Sequence, residues 1–376
     1  MRMTKTFDVC VRGDGVVGRT LALLLAKERL RVALVTHPAA ARTQDVRAYA
    51  LNSASRQLLE GLRVWPDESY ATPMTDMFVW GDDGGAIDFK AQNMTPGAAQ
   101  PALAWIVDVP ELERQLTQAC SYQSLIETVH DKVNNPCSAT LSVICEGQTS
   151  SSRAAMGVQW TKKPYSQRAV AARLESDVAH GGAARQWFAG GEVLALLPMA
   201  GSAGNSLALV WSVSDERAAV LETMPPAEFC AALAAVCKPG VGNLRLTSER
   251  LSWPLALGNA DRWVGPGWAL AGDAAHTVHP LAGQGLNLGL ADAACLSSTL
   301  AAREYWRSLG DEKLLRRYER SRRAGVATVG VVTDGLQRLF AQTQPGWQSV
   351  RNSGMNGFSA VQPLKNWLVR RAAGVP

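Results

Sequence analysis

Two of the chain's five histidines, His276 and His279, stand three residues apart in the stretch GDAAHTVHPLAGQGLNLGLAD (residues 272–292), beside Asp273 and four glycines. Aspartate with two histidines at short spacing is metal-ligand chemistry. Glycines ahead of a helix are anion chemistry, because the free backbone N–H groups and the helix dipole stabilise negative charge there. A tight loop with no chemistry is the third reading. The metal reading is the weakest, because no further ligand accompanies the three side chains and the glycine run has a better explanation. Asp273 closes the apolar run Trp268-Ala269-Leu270-Ala271, so its carboxylate stands at a strand end, where it can accept hydrogen bonds from a sugar-like chain. Gly283-Gln284-Gly285-Leu286-Asn287 then presents N–H groups at the start of a helix.

Near the N-terminus Gly13-Asp14-Gly15-Val16-Val17-Gly18 forms a GxGxxG motif. Such a run is weak evidence alone and strong evidence directly after a strand and before a helix. The first glycine permits the tight turn, the second lets backbone approach a pyrophosphate, and the third lets helix and strand pack closely. The motif lacks its usual partner. The second strand of such a unit ordinarily ends in an acid that holds the adenosine ribose, and here it ends in Thr36-His37. Asp14 places an anion where phosphates would lie, with Arg12 as the expected offset.

These residues need a scaffold. Phe7–Val11, a helix from about Val16 to Arg29 and Val32–Val35 read as strand, helix and strand, one βαβ unit. Asn52 and Ser53 can cap a helix through Leu62. The texture changes to turns and short extended pieces near Asp82-Asp83-Gly84-Gly85, and a helix from about Pro110 to Cys120 returns to the core. From Gln167 to Val213 short apolar bursts predict an antiparallel sheet, with ALLPM and SLALVWSV as a hairpin. Helices follow at Leu286–Ala302 and Asp311–Gln342, and a last one starts near Pro363. The expected fold is α/β, a Rossmann-like dinucleotide-binding domain interleaved with a second, antiparallel-sheet domain and a helical C-terminal tail. The expected boundaries are residues 1–75, 101–160 and 255–310 for the first, 76–100 and 161–254 for the second, and 311–376 for the tail.

At 376 residues, 47% hydrophobic and 19% charged, the chain is long enough for two interleaved domains with a sizeable core. Seven scattered cysteines with no CxxC pair predict reduced thiols rather than disulfides or a zinc framework. No apolar run is long enough for a signal peptide or a membrane span, so a cytoplasmic protein is expected. The formal charge of +5 is uneven. From residue 303 onward there are 13 Lys and Arg against 5 Asp and Glu, a net +8, which leaves −3 for the rest. That end is either a solvated helical face or a docking surface for anionic headgroups or an acidic partner, giving peripheral attachment to the inner face of a membrane or to a multi-enzyme complex. Nothing points to nucleic acid.

Taken together, DVCVRGDGVVG, DVRAYALNSASRQLLEGL with Arg47, ALLPMAG, the 272–292 motif and the tail segments RRYERSRR, TDGLQRLF and RNSGMNG resemble the flavoprotein monooxygenases of the para-hydroxybenzoate hydroxylase class. The resemblance is greatest to the ubiquinone-biosynthesis FAD hydroxylases of the 2-polyprenylphenol hydroxylase type, and it covers nearly the whole chain. It implies FAD bound through Gly13, Gly15, Val17, Gly18 and the Thr36 position, and through Gly272 and Asp273, the latter on the ribityl chain. It also implies that Pro280 sits beside the ring, that Gly283, Gln284, Gly285, Leu286 and Asn287 face its N1 and C2 carbonyl, and that Arg47 stands near the cofactor on the substrate side. His276 becomes a structural hydrogen-bonding residue, and His279 a residue near the active site. The implied reaction uses NADH or NADPH as a transient donor and oxygen to hydroxylate a polyprenylated phenol, lodged between the flavin and a sheet that includes Leu197-Pro198-Met199. No catalytic base can be named. The family's strand-end Asp-Gly is Glu146-Gly147 here, followed by Ser152 and Arg153, and HDKVNNPCSATLS before it is short. With Asp14 and Thr36 these departures leave open a non-catalytic assembly or lipid-carrying subunit, and a related flavin monooxygenase acting on a non-quinone aromatic.

Overall fold

The computed structural model describes residues 7–36, 45–81, 85–93, 101–130, 137–237, 240–278 and 284–341, with Gln284 and residues 328–341 as backbone only. The expected last helix near Pro363, the Asp82–Gly84 turn and most of HDKVNNPC lie outside the described residues.

Strand Phe7–Arg12 is the hub of a six-stranded sheet. Val9, Cys10 and Val11 are fully buried, as a strand covered on both faces must be. It pairs in parallel with Val32–Thr36 on one side and Ala139–Ile144 on the other, and Ile126–His130 and Trp268–Leu270 extend the sheet in parallel beyond these. Helix Val16–Lys27 follows the glycine loop and buries Leu21 and Leu25 completely. Helices Val109–Tyr122, Gln284–Ala301 and Glu312–Ala341 contribute Leu112, Leu290 and Tyr318 to the same core. The Tyr318 hydroxyl donates to the Leu270 carbonyl at 2.8 Å, which docks the C-terminal helix on the strand that leads to Asp273.

A nine-stranded sheet forms the other half. Its centre is Trp160–Ser176, Ser206–Ser214, Glu192–Met199 and Ala183–Ala189, joined antiparallel, with the expected hairpin between the third and second of these. It starts at Trp160, earlier than the sequence pattern indicates, and it is not purely antiparallel, because Ala183–Ala189 pairs in parallel with Asp76–Trp80. Strand Leu251–Ala260 runs along Trp160–Ser176 for its whole length and so crosses the expected boundary at residue 254. Helices Asp215–Thr223 and Pro226–Val236 cover one face with Ala218, Leu221, Phe229 and Leu233. On the other face Met199 and Ala208 pack on Ala48, Met74 and Ile106 of a three-stranded sheet, Ala48–Leu51, Ala104–Asp108 and Ala71–Met74. Among the described residues no helix is long and apolar enough to cross a membrane.

Candidate active site

The glycine loop is built by contact with the neighbouring strand end. Gly13 has φ +103°, and a Cβ there would stand 2.5 Å from the Cys145 carbonyl oxygen. Its N–H donates to the Val35 carbonyl at 3.0 Å. A Cβ on Gly18 would fall 1.9 Å from the Gly13 carbonyl oxygen, so only glycine lets the helix sit this close to its strand. Gly15 differs: it caps the helix in an extended conformation, and the space around its missing Cβ is open. No side chain caps that helix, which leaves its first-turn N–H groups for an anion. Val17 packs on Gly272 and Gly289, which couples the two motifs far apart in sequence.

The charges beside this loop pair differently from expectation. Asp14 is offset by Arg19 at 3.2 Å and not by Arg12. Arg12 instead donates to the Ser152 hydroxyl at 2.8 Å and lies 3.4 Å from Glu146. Glu146 accepts from the Ser150 and Ser152 hydroxyls at 2.7 and 2.6 Å and from the Ser152 N–H at 3.1 Å. Burial pushes this carboxyl up, and the serine hydrogen bonds with Arg12 outweigh it, so Glu146 lies below the ordinary carboxylate range. The extra methylene relative to aspartate is thus accommodated by a closed polar network. Arg153 lies over the Trp160 ring at 3.9 Å and donates to the Ala274 carbonyl at 3.1 Å, tying this region to the second motif.

Asp273 sits in a short 3-10 turn, Gly272–Ala274, exposed to a cleft of about 450 Å³. The cleft walls are close enough that desolvation raises its carboxyl above the usual range, against the pull of His276. His276 turns away from the cleft. Its Nε2 meets Asp292 Oδ2 at 2.7 Å, and its ring stacks on Trp263 with centroids 4.9 Å apart. Asp292 is fully buried and also accepts from the Gly272 N–H at 2.9 Å and from Arg322 Nε at 2.7 Å. The turn that carries Asp273 is therefore held by a buried His–Asp–Arg chain. Among the described residues no group of three His, Cys, Asp or Glu side chains could hold a metal, and His276 is committed elsewhere.

Gly285 and Leu286 line the cleft at the start of helix Gln284–Ala301. Asn287 does not line it. Its side chain is buried, accepting from the Asn52 N–H at 2.9 Å and the Ser55 hydroxyl at 2.7 Å and donating to the Ala50 carbonyl at 2.8 Å, so it fastens the second motif to helix Ser53–Gly61. Pro280, Gly283 and His279 lie outside the described residues. Thr36 ends the strand beside the edge strand, hydrogen-bonded to His130 on that edge strand, and does not line the cleft wall.

Across the cleft stand Arg47, Tyr49, Glu113 and the strand segment Trp253–Ala256. Arg47 is clamped by Asp45 Oδ2 at 2.5 Å and Glu113 Oε1 at 3.0 Å. Tyr49, two residues on, lines the same cleft, and burial pushes its phenol above the ordinary range against the pull of the Arg47 charge. Sequence reasoning missed Tyr49 and Asp292. The two-residue period of a strand that begins beside Arg47 was a usable signal for the first; Asp292 closes the quoted motif, but its partners lie 16 and 30 residues away. The sheet's contribution to the wall is also not the expected one: Leu197 and Met199 pack into the three-stranded sheet, and Trp253–Ala256 takes the place facing the cleft.

A glycine loop on a parallel sheet, a strand-end aspartate opening into the same cleft and a large mostly antiparallel sheet as the roof define a flavin-dependent monooxygenase of the para-hydroxybenzoate hydroxylase class. A family profile described as an FAD binding domain matches residues 122–331. The p-nitrophenol 4-monooxygenase of Pseudomonas putida shares the fold, with a TM-score of 0.76 at 18% identity over 97% of both chains. Ubiquinone hydroxylase UbiL of Rhodospirillum rubrum is 31% identical, the match covering 98% of this chain and 90% of that protein. The 3-demethoxyubiquinol 3-hydroxylase of Escherichia coli is 29% identical, with 98% of each covered. The chain belongs to the FAD-dependent hydroxylase family of ubiquinone biosynthesis and is an oxidoreductase.

Proposed function

We propose that this chain hydroxylates a polyprenylated phenol or quinol on the pathway to ubiquinone, with NADH or NADPH as donor and oxygen as co-substrate. The observation that carries the reading is the convergence of the Gly13–Gly18 loop, Asp273 and the apolar segment Trp253–Ala256 on one cleft. The printed activities of the two relatives, a ubiquinone hydroxylase and a 3-demethoxyubiquinol 3-hydroxylase, support the substrate class. We assign residues 1–75, 101–160 and 255–310 to cofactor binding and 76–100 and 161–254 to the substrate side, with strand Leu251–Ala260 shared between them.

In this reading Gly13, Gly15, Val17 and Gly18 receive the pyrophosphate, Gly272 and Asp273 the ribityl hydroxyls, and Gly285 with Leu286 the ring edge. Pro280, Gly283 and Gln284 keep the roles that the resemblance gives them, and Asn287 acts as the fastening described above. Bound FAD supplies the electron transfer from the nicotinamide and the activation of oxygen, which no side chain here could supply. The protein's part is to bind, orient and keep water out. Arg47, fixed by two carboxylates, holds one positive charge still at the cleft. Tyr49 stays neutral and offers one donor and one acceptor to a phenolic oxygen. The apolar segment of the roof removes water, which strengthens each of these polar contacts. Removing one neutral hydrogen bond costs about 1 kcal/mol, roughly fivefold, so Tyr49→Phe is expected to raise KM for a prenylphenol about fivefold while the FAD content stays at wild-type level. An unchanged KM would remove Tyr49 from the substrate site.

The test of the reading is direct. Protein purified without added cofactor is examined by visible absorption, and the small molecule released on denaturation is identified. Stoichiometric FAD, followed by oxygen-dependent hydroxylation of a prenylphenol with NADH or NADPH, is the expected result. Peroxide as the sole product with every prenylphenol tried, or protein that stays colourless in excess FAD, would overturn it. The assembly-subunit alternative rested on Asp14, Thr36 and Glu146, and the first and last of these are charge-paired, which removes most of its motive. Attachment through the basic C-terminal region draws little support from its described part. Arg307, Arg316, Arg317 and Arg323 all pair with local carboxylates, which favours the solvated-face reading, although Tyr305 and Trp306 are exposed at the preceding turn.

A further inference from the structure

Thr36 ends the strand next to the glycine loop. The loop's first residue, Gly13, donates to Val35, so Thr36 stands one residue beyond the point where loop and second strand are joined. A dinucleotide-binding unit carries at this place a carboxylate that accepts hydrogen bonds from the ribose of the adenosine half. Here its place is taken by a pair. Thr36 is in register with His130 on the edge strand Ile126–His130, and Thr36 Oγ1 lies 2.9 Å from His130 Nδ1, with Thr36 half-buried and His130 exposed.

The chemistry of that pair does not depend on which tautomer is present. If the threonine hydroxyl donates to Nδ1, Oγ1 keeps a lone pair and Nε2 carries a hydrogen. If Nδ1 donates to Oγ1, the hydroxyl hydrogen is free to donate and Nε2 accepts. Either way the pair turns one donor and one acceptor outward. A vicinal diol, with two hydroxyls that each donate and accept, matches such a face, whereas a carboxylate only accepts. The exchange weakens the contact where the threonine hydroxyl replaces the carboxylate, because hydrogen bonds to neutral groups are about half as strong as those to charged ones.

We infer that the Thr36–His130 pair is this chain's binding site for the ribose of the adenosine half of FAD, standing in for the carboxylate. The inference rests on the reading of the cleft as an FAD site and adds to the residues that hold the cofactor His130, which stands outside the cleft beyond the glycine loop. It is tested on the full-length chain by titrating FAD, and in parallel FMN, which has the ribityl phosphate but no adenosine, against wild type, His130→Ala, Thr36→Val and Thr36→Glu. The readout is quenching of flavin fluorescence. His130→Ala and Thr36→Val should each raise the Kd for FAD about three- to tenfold, and Thr36→Glu should lower it by a similar factor. The Kd for FMN should be the same in all four proteins. Equal weakening for FAD and FMN would assign the pair to the integrity of the sheet edge and overturn the proposal. An FAD affinity unmoved by His130→Ala would also overturn it while leaving the site reading intact. A wild-type chain that takes up no FAD would overturn both.

Discussion

Replacing Gly18 by alanine is expected to abolish stoichiometric flavin uptake and to lower the melting temperature, whereas the same change at Gly15 should leave folding nearly untouched. The two glycines belong to one motif but answer to different neighbours. A Cβ on Gly18 would lie 1.9 Å from the carbonyl oxygen of Gly13 and 3.0 Å from its carbon, and both are backbone, so no rotamer change can relieve the contact. Helix Val16–Lys27 must then shift off its strand, against a core in which Leu21 and Leu25 are fully buried. Such overpacking costs about 1–3 kcal/mol and sometimes more, which exceeds the roughly 1 kcal/mol that alanine returns in helix propensity. The shift also carries the Val16 and Val17 N–H groups out of the place where they would meet the proposed pyrophosphate. At Gly15 nothing lies within 4 Å of the added methyl, and the backbone is one that alanine adopts freely. The methyl there intrudes only on the ligand, so Gly15→Ala should melt near wild type and still hold FAD at least tenfold more weakly. Thermal unfolding and flavin content per chain, measured on both variants, check this. A Gly18→Ala protein with wild-type melting and a full complement of FAD would show that the close approach is not needed.

The βαβ unit was legible because its determinants are local. An apolar run, a glycine turn and an apolar helical stretch within thirty residues specify strand, turn and helix without reference to the rest of the chain. The hairpin of the large sheet was legible for the same reason. Its long strands were harder. Trp160–Ser176 begins with the polar run Thr161-Lys162-Lys163-Pro164, which suits an exposed strand end and carries no apolar alternation, so the sheet's start read late. The choice of cleft wall depended on something no local pattern encodes. A register shift between Pro164 and Arg168 governs how Leu251–Ala260 runs across its neighbour, and Trp253–Ala256 reaches the cleft while the equally apolar Leu197 and Met199 are spent against the three-stranded sheet.

The pairing of charges was likewise out of reach. Arg12 and Arg19 are both close in sequence to Asp14, and arginine's long side chain makes either a plausible partner. The choice fell to Arg19 because it stands one helical turn into the helix, while Arg12 is drawn to Glu146 and Ser152, more than 130 residues away. Arg322 is the sharper case. It sits among the residues that give the C-terminal end its net positive charge, and by composition it belongs to a solvated or docking face. The fold turns it inward, because a fully buried carboxylate on the preceding helix requires a cation.

That carboxylate gives the second large effect. Asp292→Ala is expected to destabilise the chain by about 3–5 kcal/mol, the usual cost of removing one partner of a buried ion pair. The change would leave Arg322 without its carboxylate, His276 Nε2 without a partner and the Gly272 N–H unbonded in the turn that carries Asp273. Flavin affinity should fall with stability, because Asp273 is positioned only through that turn. Acid titration separates the charge from the shape. Burial pushes the Asp292 carboxyl up, but His276 and Arg322 together hold it below the ordinary value of 3.8. A group depressed in the folded state stabilises fully above its unfolded value and loses that contribution as pH falls through the folded value. The carboxylate's contribution is therefore intact above about pH 4 and is lost progressively as pH falls below it, so the gap in urea stability between wild type and Asp292→Asn, which keeps the shape and has no such titration, should narrow steadily there. A constant gap between the two down to pH 2 would mean that packing, and not the charge of Asp292, holds the turn. An Asp292→Ala protein within 1 kcal/mol of wild type at neutral pH would mean that neither does, and that the turn is held by the Arg153 and Val17 contacts on its other side.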